Sequence, residues 1–150
     1  MISKHISVKE ATYSSTAARK GIDNTPNDVQ LENMKMLAEA IFEPLRDWVG
    51  GAIRINSFFR SDALNKAVGG SSNSQHRCIN ESAAIDLDDD YGHKTNAEMF
   101  HWIRTNLVFD QLLWEYGDQK NPAWVHVSIR KSGNRKQLIR VTKEHGYETF

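Results

Sequence analysis

Apolar residues recur with two different periods along the chain, and these periods mark out its elements. From Asp28 to about Trp48, Leu31, Met34, Leu37, Ile41, Leu45 and Trp48 recur at spacings of three and four. That spacing predicts a helix with one apolar face. Asn27 or Asp28 starts it, Gly50 and Gly51 end it, and Pro44 predicts a kink. A short helix from Asp62 to about Val68 follows Ser61 as its N-cap and stops at Gly69 and Gly70. Thr95 and Glu98 have the capping-box spacing and open a further helix that runs to about Asn106.

Strand patterns lie at 53–57, 83–88, 111–116, 124–129 and 137–141, the last of them read as the final strand. Residues 1–27 are polar and turn-rich, with the clearest break at Asn24 to Asn27. Helices come early and strands cluster late. The expected fold class is therefore α+β, a small antiparallel sheet flanked by helices, in a single domain over 1–150.

Composition narrows the function classes. Apolar residues make up 39% and charged residues 25%, the balance of a soluble globular protein. Nineteen basic residues offset nineteen acidic ones, so net charge favours neither nucleic acid nor an anionic membrane as partner. No apolar run approaches the roughly 20 residues of a membrane span. The N-terminal residues contain no apolar stretch of signal-peptide length, so synthesis in a cytoplasm without export by that route is expected. A monomer is also expected. The single cysteine, Cys78, excludes an internal disulfide and a Cys-rich zinc site, which leaves histidines and carboxylates to hold any metal.

Of the six histidines, His5, His93, His101 and His145 have no companion ligands nearby. His76 ends a Gly/Ser-rich loop and precedes the strand that carries Asp86. His126 shares one face of its strand with Trp124 and Ser128, while Val125, Val127 and Ile129 take the other. Two histidines and a carboxylate, with a water in the fourth position, make the open site that catalytic zinc uses. A buried, hydrogen-bonded histidine would suit the same settings. A symmetric hairpin of 111–116 with 124–129 places Glu115 opposite His126, as a base for the water. Asp118 in the connecting loop competes for that role. Arg60 has the chemistry to clamp a carboxylate or stabilise an oxyanion, or it is a surface arginine.

Taken in order, these segments are similar to a known family. Residues 15–26 and 44–47 belong to the likeness, which is strongest over Ile55 to Gly70, Ser74 to His76, Ala84 to Asp86 and Trp124 to Ser128. The chain resembles the zinc D-alanyl-D-alanine carboxypeptidase and phage endolysin-peptidase family, with the Hedgehog/DD-peptidase fold. The resemblance implies a peptidase with one zinc ion on His76, Asp86 and His126, acting on bacterial peptidoglycan peptide. It implies Arg60 for substrate binding and transition-state charge, and Ser74 and Trp124 as substrate contacts. Cleavage within the stem peptide, D-Ala-D-Ala carboxypeptidase or dipeptidase activity, and a non-catalytic phage wall-binding role remain alternatives.

Two departures stand out. The family usually spaces the first His and the Asp more closely, with a glycine between them. Here Asp86 lies ten positions after His76, and residues 77–82 contain no glycine. This implies an insertion in the connecting loop, with Asp88 as a fallback ligand. Several branches also place the base three residues before the last His, where this chain has Ala123. The Trp114-Glu115-Tyr116-Gly117 strand looks like that of another branch, which assigns the base to Glu115.

Overall fold

The computed structural model describes residues 1–150. Its centre is a six-stranded sheet in the order β1-β2-β4-β3-β5-β6. The strands are β1 (Arg54–Ser57), β2 (Ser82–Asp88), β3 (Gln111–Glu115), β4 (Trp124–Arg130), β5 (Gln137–Thr142) and β6 (Gly146–Thr149). Six helices accompany them: α1 (Val8–Thr12), α2 (Ser15–Lys20), α3 (Asp28–Leu37), α4 (Glu43–Val49), α5 (Asp62–Ala67) and α6 (Asn96–Asn106).

The α+β class expected from the pattern is what the chain adopts. The sheet itself is mixed, because β3 pairs with β5 in parallel while every other pairing is antiparallel. Strand β4 occupies the antiparallel position beside β3, so the chain leaving β4 crosses to the other edge of β3. The final strand, β6, follows the turn at Lys143–His145, where alternation is too short to announce it.

Inward and outward residues alternate along each central strand. Ile85, Leu87, Leu112, Trp114, Val125, Val127 and Ile129 turn to one face and join a core cluster of 26 buried residues. Helix α3 packs on β2, and α6 on β3 and β4, so the helices cover that face. The opposite face carries Asp86, Glu115, Trp124 and His126 and is open to a cleft.

The helix expected from Asp28 to Trp48 is real but divided. Asn27 and Gln30 form a reciprocal capping box at its start. Between α3 and α4 the segment Ala38–Phe42 widens into a π turn, with the Glu43 N–H bonded to the Ala38 carbonyl. Pro44 lacks an N–H and its ring crowds the preceding turn, so the extra residue is absorbed just before it. The axis continues to Gly50, which ends α4 with a left-handed backbone (φ 76°).

The N-terminal 27 residues are more ordered than their polarity predicts. Ser7 and Ser14 cap α1 and α2 through their hydroxyls. Ile2 and Ile6 are buried, and the Glu43 carboxylate accepts from Ser3 Oγ (2.6 Å) and His5 N (3.0 Å). A few buried apolar anchors and a single carboxylate thus tie this segment to the π turn. Helix α6 begins with the expected capping box of Thr95 and Glu98. No helix is long and apolar enough to cross a membrane.

Candidate metal centre

His76 is set by the segment that follows β1. A one-turn helix, Gln75–Arg77, is capped by the Ser74 hydroxyl, which accepts from the His76 N–H at 3.2 Å. The His76 carbonyl accepts from the Arg60 N–H (2.8 Å), and His76 Nδ1 lies 2.8 Å from the Phe58 carbonyl. A carbonyl only accepts, so Nδ1 carries the proton and Nε2 keeps its lone pair. That nitrogen is 3.3 Å from Asp86 Oδ2.

Asp86 and His126 are direct neighbours across the β2–β4 ladder, and His126 Nδ1 lies 2.8 Å from Asp86 Oδ1. One ligand atom from each of His76, Asp86 and His126 lies within 4.8 Å of the others. Two imidazole nitrogens and a carboxylate oxygen are the donor set of open zinc sites, and His76 is already fixed in the ligating tautomer. The three residues fit one zinc ion.

Electrostatics agree with that fit at His76 and Asp86, while Asp86 draws His126 toward its protonated form. Burial pushes the His76 pKa down, against the pull of Asp86, and favours the neutral imidazole a metal needs. Burial also pushes Asp86 up, but the charges and hydrogen bonds of His76 and His126 outweigh it and hold the carboxylate ionised. For His126 burial lowers the pKa, and the hydrogen bond and charge of Asp86 more than restore it.

The loop between the first two ligands is long, as its spacing predicts. Cys78, Asn80 and Glu81 all take left-handed φ between 54° and 55°. Helix α3 holds this loop from outside: Asn33 Nδ2 donates to the Cys78 carbonyl (2.9 Å) and Gln30 Nε2 to the Arg77 carbonyl (3.2 Å). Beyond this loop β2 delivers Asp86 to the two histidines. Asp88, the fallback ligand, stays outside the cluster; its Oδ1 accepts from Asn96 Nδ2 at 3.0 Å.

Glu115 does not stand opposite His126, contrary to the symmetric hairpin. The register pairs Glu115 with Trp124 and Leu113 with His126. Left-handed backbone at Tyr116 and Gly117 ends β3 early. Gly117 passes so close to the Asn121 carbonyl that a Cβ would lie 2.2 Å from it. A slip of two residues preserves side-chain facing, so Glu115 still looks into the cleft, diagonal to His126 and about 7–8 Å along the ladder. Burial raises its pKa, opposed by the His126 charge and a hydrogen bond from the Trp124 side chain. Asp118 is exposed, does not line the cleft, and accepts from the Lys120 and Asn121 N–H groups at 2.8 and 2.9 Å.

Arg60 sits at the metal end of the cleft. Its Nε donates to Ser57 Oγ (3.2 Å), Nη1 to Asn65 Oδ1 (3.5 Å), and Nη2 lies 3.7 Å from Asp86 Oδ2. Ser74 and Trp124 also line the cleft, and Trp124 packs against Tyr116 with ring centroids 5.3 Å apart. The cleft has a volume of about 1160 Å³. Its walls include residues that local patterns did not single out: Gln111, Leu113, Arg130, Arg135 and Tyr147. Only the alternation of β4, running on from His126 through Ser128 to Arg130, carried a signal for one of them.

A family model described as peptidase M15 matches residues 4–128. The chain belongs to the peptidase M15 family. This is the family of zinc D-Ala-D-Ala carboxypeptidases, so the M15 chain is a zinc peptidase in class, and its His-Asp-His cluster matches that dependence. No curated protein matches the sequence. The M15 match stops at Ser128, so Arg130, Arg135 and Tyr147 of β6 line the cleft from outside the matched region.

Proposed function

We propose that the protein is a zinc endopeptidase that cleaves within the peptide stems of bacterial peptidoglycan, the activity of a phage endolysin. One observation carries the reading: Asp86, His126 and Glu115 share the face of the sheet that opens into a long cleft, and His76 meets them there from the one-turn helix Gln75–Arg77. Pockets for small ligands span about 300–1,000 Å³. At about 1160 Å³, the cleft has room for an extended peptide on both sides of the metal ligands. A site built for a terminal dipeptide alone needs less.

His76 Nε2, Asp86 and His126 Nδ1 would hold the ion. Bound there, zinc supplies Lewis-acid chemistry, acidifying water and polarising a carbonyl oxygen. Glu115 accepts the proton of the attacking water and returns it to the leaving amine. Its raised pKa suits both halves of that exchange, since a base poised nearer neutrality also serves as an acid. Arg60, steadied by Ser57 and Asn65, faces the developing oxyanion with charged donors. Ser74 and Trp124 flank the bound peptide. Synthesis in a cytoplasm and release at lysis belong to the same proposal, which rests there on the resemblance to endolysin peptidases.

The experiment is digestion of purified peptidoglycan by zinc-loaded protein, with mass spectrometry of the fragments. Internal stem cleavage is the expected result. Release of a terminal D-alanine alone would replace the endopeptidase with a carboxypeptidase. Zinc binding with no new amino groups would leave a wall-binding module.

A further inference from the structure

The metal centre explains one part of the cleft and leaves the stretch toward Arg130 unexplained. Past His126 and Ser128, the cleft-facing positions of β4 continue to Arg130, opposite Ser82. The turn after β4 brings Arg135 back beside it. Between them lies Asp110, fully buried at the start of β3. Its Oδ1 accepts from Arg135 N and Nε, both at 3.0 Å. Its Oδ2 accepts from Arg135 Nη2 (2.7 Å) and Gln75 Nε2 (3.0 Å), with Arg130 Nε at 3.1 Å.

Two guanidinium groups therefore share one carboxylate, and one positive charge is left over. Arg130 approaches Asp110 through Nε; its side chain is 41% exposed, lines the cleft, and makes no side-chain hydrogen bond to the rest of the chain. Arg77 and Lys131 add to the positive wall, while Glu81 is the one acid close to Lys131, at 3.9 Å. Burying a carboxylate under arginines is costly unless the pairing is good, and adds little stability even then. What it does supply is orientation: the guanidinium planes are held ready for a second, incoming acid. Planar forks of this kind recognise carboxylates by paired hydrogen bonds.

Charge elsewhere in the cleft selects the ligand class. The metal centre itself suits a neutral amide, since Glu115 and Arg60 line it beside the ligand Asp86. A peptide with an acid at one end and a neutral amide at the metal matches both halves. Four strand residues separate His126 from Arg130, about 13 Å at the usual rise. An extended peptide spans that distance in about four residues.

We propose that Arg130 and Arg135 form a carboxylate-binding subsite that selects peptides carrying a free acid within about four residues of the bond at the metal centre. This rests on the peptidase reading above. Both arginines lie beyond the residues that the family model matches.

The probes are a cell-wall stem pentapeptide with every carboxyl group free and the same peptide with every carboxyl amidated. Affinity is measured by calorimetry on the zinc-loaded Glu115→Gln protein, and kcat/KM on the wild type. Amidation should weaken binding at least tenfold, and raised salt should shrink that ratio. Arg130→Gln, which leaves the Asp110–Arg135 pair in place, should reduce the ratio to below threefold. Equal affinity for the two peptides, or a ratio kept by Arg130→Gln, overturns the subsite. If that variant fails to fold, the salt dependence of the parent's ratio decides: a ratio unmoved by salt overturns the subsite. Failure of the wild type to cleave either peptide, with the acid preference intact, removes the peptidase reading and leaves the subsite standing. Cleavage of both at equal kcat/KM and equal affinity does the reverse.

Discussion

His76 Nδ1 donates to the Phe58 carbonyl at 2.8 Å, and this bond decides which nitrogen of the ring faces Asp86. The ring is locked before any ion arrives, so little reorganisation stands between the folded chain and the metal. His126 has no such carbonyl; its Nδ1 lies 2.8 Å from Asp86 Oδ1, its direct neighbour across the β2–β4 ladder. Loss of either histidine should therefore abolish zinc binding. His126→Ala should fold, shown by an unchanged far-UV spectrum, and emerge from dialysis with zinc well below one equivalent by elemental analysis. Retention of a full equivalent would exclude His126 as a ligand.

Glu115 lies outside the ligand set and lines the cleft beside it. Glu115→Gln keeps shape and removes the proton acceptor, so zinc content should hold while kcat falls by a factor on the order of 10² or more. Asp118→Asn serves as the paired control, because its carboxylate is spent on the Lys120 and Asn121 N–H groups. Its kcat should stay within about twofold of wild type. Reversal of the two results would transfer the base to Asp118.

Gly70 touches the machinery through Asn65. A Cβ at Gly70 would stand 2.0 Å from Asn65 Oδ1 and 3.2 Å from Arg60 Nη1. Asn65 also holds the 69–74 loop through the Ser71 carbonyl, at 2.8 Å. Gly70→Ala should displace Asn65, loosen Arg60 and cost about 1–3 kcal/mol of stability. Thermal unfolding would read the stability loss, and kcat/KM on wall peptide should fall several-fold with zinc content unchanged. An unaltered kcat/KM would separate Arg60 from the reaction.

Asp110 makes stability depend on acid. Burial pushes its carboxyl up, but the Arg135 and Gln75 hydrogen bonds and the Arg135 charge hold it at about 2. An unfolded aspartate titrates near 3.9. A carboxylate depressed on folding contributes stability that is complete above the unfolded value and is lost as pH falls toward the folded one. The window is thus about pH 4 down to pH 2, and the contribution on the order of 2 kcal/mol. Urea unfolding midpoints should fall across that window in wild type. Asp110→Asn should be less stable at pH 5 and show a shallower acid slope; equal slopes would remove Asp110 from the acid dependence.

Much of the scaffold is legible residue by residue. Asn27, Ser61 and Thr95 stop a chain in extended geometry and cap the next turn, an event decided within three or four residues. Alternation along β4 assigned His126 to the face opposite Val125 and Val127, and that facing survived intact. The ligand trio was carried by the ordered likeness of whole segments to the family. Short caps at Ser7 and Ser14 passed unnoticed because the helices they start bury only Ala11 and Ala17.

The sequence by itself determined the caps at Asn27, Ser61 and Thr95 and the facing of the strands, because each depends on side-chain type at close spacing. Tertiary structure decided what rests on contacts between distant segments. The β3–β4 register moved by two residues because the Tyr116–Gly117 backbone shaped the loop. The parallel seating of β5 against β3, and β6 beyond it, follows from which sheet edge β4 left free. Asp110 gathers Gln75, Arg130 and Arg135 from three separate elements, and no local pattern encodes that meeting. Facing is a property of one strand; neighbours are a property of the whole packed chain.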